Sequence, residues 1–277
     1  MTDFLQMVVL SAIAISCGLV GPFLILKRLT MFANALSHTI LLGIAIAFLI
    51  TGSLFAPASL LIGALIAALM TALFTGGLVR FFRLQEDASI GLVFTALFAL
   101  GITVVTLFTR NAHIGIEAVL GNVDIVQWSD AKLAIFLVFL NLAAILLFYK
   151  QLKITSFDSS LARTLKIPVA PFHFLLLFLA AITCIGAFRA VGALLVLAFL
   201  VGPFLTARLF CHRLPWLLFW TPVVGVAASV LGVLCSRFVF EVFGLPLSTG
   251  GIVVSFIGLI YVAVKVLTAR KKLISSH

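Results

Sequence analysis

The chain has 277 residues, 64% hydrophobic and only 9% charged, with a mean hydropathy of +1.35 and a formal net charge of +10. A soluble domain carries about 25% charged residues, so this chain cannot cover a water-facing surface and reads as an integral membrane protein. Its basic residues sit in short connections and form no stripe interleaved with aromatics, which argues against nucleic acid as a partner.

In chain order, apolar runs predict about nine spanning helices: 5–26, 33–50, 54–79, 88–108, 131–149, 171–188, 190–210, 216–238 and 248–269. The opening MTDFLQ has no basic n-region, so the first run reads as a retained helix. The stretch 109–130 is too polar to span and predicts an outer interfacial segment, while 150–170 predicts a cytoplasmic loop. The whole of 1–277 reads as a single transmembrane domain.

Lys and Arg set the expected orientation. With the N-terminus outside and the C-terminus in the cytoplasm, fourteen of them fall on the inner side and four, Arg110, Lys132, Arg189 and Arg237, on the outer. Cys17, Cys184, Cys211 and Cys235 are scattered without a CxxC and read as small packing residues. Gly186, Gly192 and Gly202 suit close helix approach. VGPFLILKRL (20–29) and VGPFLTARLF (201–210) form a near-repeat, each placing Gly-Pro inside a spanning helix.

The carboxylates Asp3, Glu86, Asp87, Glu117, Asp124, Asp130, Asp158 and Glu241 all avoid the middle of a spanning run. A proton- or sodium-driven transporter needs an ionisable group near the midplane, and His38 is the candidate for it. There is no GxxxxGK[ST] loop and no plausible Ser-His-Asp or Cys-His arrangement. Uphill movement of a solute therefore calls for energy from a partner. Asn34 and His38, in NALSH, are four apart and share a helix face. His113 and Glu117, in HIGIE, have the same spacing, but two ligands make a poor metal site. Glu117, Asp124 and Asp130 fit contact with a binding protein or water.

In KQLKITSFDSSLARTLKIPVAP (150–171), Ser156 or Asp158 can cap a short helix that the KIP at 166–168 ends. Leu161 and Leu165 form an apolar ridge on it. That ridge suits a soluble partner's grip or the lipid headgroups.

These segments together resemble the permeases of binding-protein-dependent ABC importers for zinc, manganese and iron, the ABC-3 family. GLVGPFLILKRLTMFANALSHTILLGIAIAF (18–48) is similar to the family's first motif, with its D-A-L-S-H core. EDASIGLVFTALFALGI (86–102), AVLGNVDIVQWSD (118–130), FDSSLARTLKIP (157–168) and FRAVGALLVLAFLVGPFLTARL (188–209) resemble further family blocks in order. The resemblance implies that His38 and the position of Asn34 line the translocation path and touch the metal. The His matches; Asn34 stands where the family carries Asp and offers a neutral carbonyl in place of a carboxylate. GLPLSTGG (244–251) likewise lacks the family's acid beside Pro246.

The resemblance further implies that Phe157, Asp158, Leu161, Ala162 and Leu165 face a cytosolic ATPase. The partners implied are that ATPase, a second permease copy or paralogue, and an extracytoplasmic metal-binding protein, with membrane lipid around the bundle. No cofactor and no bond chemistry are expected of this chain; the divalent metal is its cargo. The expected fold is an all-α polytopic bundle like type II ABC importers, in a bacterial inner membrane. A permease for a metal chelate, such as a siderophore or cobalamin, is one other reading, and a secondary transporter using His38 as its proton site is another.

Overall fold

The computed structural model describes residues 2–51, 57–108, 123, 126–244 and 248–275. Among them the regular structure is helical: α1 (Thr2–Leu26), α2 (Thr30–Thr51), α3 (Pro57–Phe82), α4 (Glu86–Phe108), α5 (Trp128–Phe157), α6 (Ser159–Thr164), α7 (Val169–Val191), α8 (Ala193–Arg208), α9 (Leu214–Phe243) and α10 (Thr249–Ser275). Eight of these are long and apolar enough to cross a membrane. The expected span 190–210, seventh in chain order, is the one outside the eight, and its break from the span before it falls at 192 rather than 189. Gly192, at φ 82°, stands between α7 and α8 and leaves α8 with 16 residues. Such a helix rises about 24 Å, less than the roughly 30 Å hydrocarbon core.

The helices form two compact units, Met1–Phe23 with Asn122–Phe148 and Ala190–His277, and Leu24–Gly121 with Tyr149–Arg189. The boundary within α5 falls at Phe148, where φ −110° and ψ 19° interrupt the helix.

In the first unit α1 is the core. Val9, Leu10, Ala14, Cys17, Val20 and Phe23 are fully buried. Helices without a water-driven force between them associate through close packing and polar pairs. Both devices are present here. A Cβ on Gly21 would overlap the Leu200 carbonyl of α8, and one on Gly18 would come within 2.9 Å of the Pro222 backbone of α9. Asn141 Nδ2 of α5 donates to Ser16 Oγ of α1 at 2.6 Å, buried. Ser236 of α9 and Thr249 of α10 pair at 3.1 Å, and Arg237 pairs with Asp3. Pro22 and Pro203, from the two near-repeat stretches, both lie inside continuous helices.

In the second unit α2 is held between α3 and α4. Gly43 and Gly63 face each other with no room for a side chain on either. Thr71 Oγ1 donates to Thr39 Oγ1 at 3.1 Å. A Cβ on Gly101 of α4 would meet the Leu42 backbone nitrogen at 3.0 Å, and Leu42, Val93 and Leu97 form a buried cluster beside it.

Three turns of this unit carry a non-glycine residue in the left-handed region: Arg28 (φ 61°), Arg83 (φ 53°) and Lys166 (φ 57°). Two of them close helices by the paired C-terminal pattern in which a left-handed residue satisfies the last carbonyls. After α1, the N–H groups of Arg28 and Leu29 donate to the carbonyls of Ile25 and Leu24, at 3.0 and 2.8 Å. After α6, those of Lys166 and Ile167 donate to Arg163 and Ala162, at 3.0 and 2.9 Å.

Candidate functional site

Asn34 and His38 lie one turn apart on α2, as their spacing predicts. Asn34 is exposed on the isolated chain, between buried Ala33 and Ala35; its carbonyl accepts the Ser37 hydroxyl at 2.6 Å. His38 is half-buried. Its ring centroid lies 5.2 Å from that of Phe94 and 5.1 Å from that of Phe98, both on α4. The two phenyl rings are themselves stacked at 5.9 Å. Phe94 and Phe98 follow the i, i+4 rule, so one face of α4 clamps the imidazole by aromatic contacts. The α4 clamp has no counterpart in what the motif alone conveys.

Among the described residues, no three His, Cys, Asp or Glu side chains come together as a metal cage. The α2 face offers one imidazole and one amide. An amide oxygen is a hard, neutral donor and the imidazole a borderline one. Such a pair can touch a divalent cation in passing without trapping it, which suits a conduit. His113, Glu117 and Asp124 lie outside the described residues, as does Pro246. Asp130 does not face water: it is 8% exposed, and its Oδ2 accepts the Gln127 N–H at 3.0 Å at the start of α5.

The short helix expected near 157–168 is α6. Of its two possible caps the chain uses Asp158, in extended conformation, whose Oδ1 accepts from the N–H groups of Ser160 (2.8 Å) and Leu161 (3.0 Å) and from the Ser160 hydroxyl (2.5 Å). The Ser160 hydroxyl first, then these two amides, hold its carboxyl below the usual aspartate range. Phe157, Leu161 and Leu165 are 60%, 50% and 54% exposed, whereas Ala162 is fully buried. Ala162 is thus the buried side of α6, while the three larger residues are exposed.

A polar cluster at the end of the second unit escapes sequence reasoning. His173 Nε2 of α7 lies 3.5 Å from Glu86 Oε1 at the start of α4. Lys27, in the turn between α1 and α2, is close enough for its charge to act on Glu86. The Lys27 Nζ is buried without a hydrogen-bond partner, and that burial pushes its pKa down to about 8 against the opposing pull of Glu86. The available signal was the expected alternation of spans, which puts all three residues at helix ends on the same side.

Eight apolar membrane-length helices among the described residues, one of them carrying an amide and an imidazole on one face, define a multi-pass membrane protein. The chain belongs to the ABC 3 transport family, whose sequence profile matches residues 1–268. It is a multi-pass permease of that family, of the bacterial cell-membrane kind. It is 37% identical over 268 residues to a probable metal transport system membrane protein of Chlamydia pneumoniae, covering 95% of this chain and 82% of that one. It is 38% identical to the manganese transport system membrane protein MntD of Bacillus subtilis, over 79% of this chain and 78% of the relative. With the zinc transport system membrane protein TroD of Treponema pallidum it shares 35% identity, over 71% and 57% of the two chains. Among solved structures, PsaBC from Streptococcus pneumoniae in complex with Fab aligns with a TM-score of 0.77 at 28% identity, covering 94% of this chain and 89% of that one.

Proposed function

We propose that this chain is the permease of an importer for a divalent transition metal, with manganese and zinc ahead of iron. The relatives named above support the cargo. The observation that carries the reading is the α2 face: a polar amide left exposed among buried alanines, one turn from an imidazole held by Phe94 and Phe98. A polar group on a spanning helix belongs against water or protein. Here it faces the path shared with a second permease. That second subunit supplies the acid that Asn34 replaces, so the working pair is a heteromer.

The N-terminus lies outside and the C-terminus in the cytoplasm, in keeping with the fourteen-to-four distribution of basic residues. An external binding protein releases the metal into the path. Two cytosolic ATPases grip α6 through Phe157, Leu161 and Leu165, with Asp158 fixing the first turn and Ala162 seating the helix. ATP-driven closure of the ATPases moves α6 and turns the path from one side of the membrane to the other. His38 and Asn34 replace part of the ion's hydration shell on its way through.

Uptake of manganese, zinc and iron by cells carrying the intact transporter tests this. His38→Ala is expected to abolish uptake of the cognate metal with the protein still in the membrane. Leu161→Asp is expected to release the ATPase on purification. Uptake that survives ATPase inactivation but collapses with the proton gradient overturns the reading.

A further inference from the structure

The α4 helix has two ends with different tasks. Phe94 and Phe98 hold His38, and Gly101 locks the helix onto Leu42. At its start, Glu86 meets His173 of α7 at 3.5 Å. Only residues 165–168 separate α6 from α7, so a displacement of α6 is delivered to the first turns of α7 with little slack. Around the His173–Glu86 contact the packing is open. A cavity of about 520 Å³ lies there, lined by Phe32 of α2, Gly76 of α3, Ile90 of α4, Arg163 of α6 and Phe174 of α7, along with Glu86 and His173 themselves. Densely packed interiors transmit displacement through every contact; a void does not. Across it, motion passes through direct contacts: His173 on Glu86 of α4, and Phe174 close against Gly76 of α3.

We propose that His173 is a positioning residue for transport: through Glu86 it makes α4, and with it the aromatic clamp on His38, follow the movement of α6 and α7. The inference rests on the reading of α6 as the ATPase-docking helix. It assigns to Glu86 and His173 the link between the motor and the path, a role neither residue has in the path itself. Glu86 also feels the charge of Lys27, in the turn that leads into α2.

The test uses the complete transporter in proteoliposomes, with Mn²⁺ as the transported probe and ATP hydrolysis measured in parallel. His173→Ala is expected to keep complex assembly and ATP hydrolysis near wild type while lowering Mn²⁺ transported per ATP about tenfold, within the usual range of site-to-site coupling. His173→Gln, whose amide N–H still reaches the carboxylate, is expected to restore most of the ratio. Glu86→Ala is expected to match His173→Ala, and the double variant to be no worse than either. An unchanged ratio in His173→Ala overturns the proposal, as does a parallel fall of assembly, hydrolysis and transport without rescue by Gln. Leu161→Asp separates the two layers: if it keeps its ATPase bound, the docking reading falls and the proposal with it. If it releases the ATPase while His173→Ala transports normally, the proposal alone falls.

Discussion

The carbonyl oxygen of Leu200 occupies the space that a side chain on Gly21 would need. Gly21 lies in the stretch 20–29, and Leu200 is the residue just before its look-alike 201–210, so α1 meets α8 at the edge of that near-repeat. Gly21→Ala must push α8 off α1 and is expected to cost about 1–3 kcal/mol, the usual range for overpacking. Gly77, with nothing near its missing Cβ, is the control. Gly77→Ala is expected to stabilise by about 0.5–1 kcal/mol through helix propensity. Thermal unfolding in detergent reads both signs.

Asn141 and Ser16 tie α5 to α1 through a buried hydrogen bond of 2.6 Å. Polar pairs between membrane helices average about 0.6 kcal/mol and reach about 1.7. A double-mutant cycle of Asn141→Leu and Ser16→Ala is expected to give a coupling energy in that range. Additive losses would show that the bond contributes nothing to the native fold.

Restoring a carboxylate on the α2 face separates charge from geometry. Asn34→Asp keeps the shape and adds a negative charge one turn from His38, so it is expected to raise the affinity of the purified complex for Mn²⁺. The same change is expected to slow release and thus lower the maximal uptake rate. Metal binding and initial uptake rates, measured on the same preparation, check the two opposite directions.

Lys27 gives a pH dependence with a definite sign. Its folded-state pKa, about 8, lies below the ordinary lysine value of 10.5. The unfolded chain therefore holds a proton that the folded chain has lost, and stability rises with pH between these values. The contribution is full above about 10.5 and is lost as the pH falls through about 8. In Lys27→Met that rise is expected to vanish, and the variant to be the more stable at pH 7, where the wild type carries a buried, unbonded ammonium. Melting temperatures at pH 7, 8.5 and 10 test both statements.

What the sequence conveyed and what it withheld divide along a physical line. Apolar runs long enough to span dictate α1 to α4 wherever they fall, because a backbone in lipid has no other way to satisfy its polar groups. Asp158 was legible as a cap, and Asn34 with His38 as one face, since each depends on residues two to four apart. The clamp of Phe94 and Phe98, the Glu86–His173 contact and the Asn141–Ser16 bond join residues far apart in the chain, and local pattern holds no trace of such partners. The break between the spans 171–188 and 190–210 was legible from Arg189 to within three residues; its placement at Gly192 follows from backbone freedom, which hydropathy does not report.

The left-handed turns at Arg28, Arg83 and Lys166 have a cost that glycine would avoid, on the order of 1–2 kcal/mol for each residue. Putting glycine there would ease all three hinges and at the same time erase three of the marks by which the insertion machinery tells one side of the bilayer from the other. Under the proposed orientation, the polypeptide accepts local discomfort at its corners as the condition for being threaded the right way round.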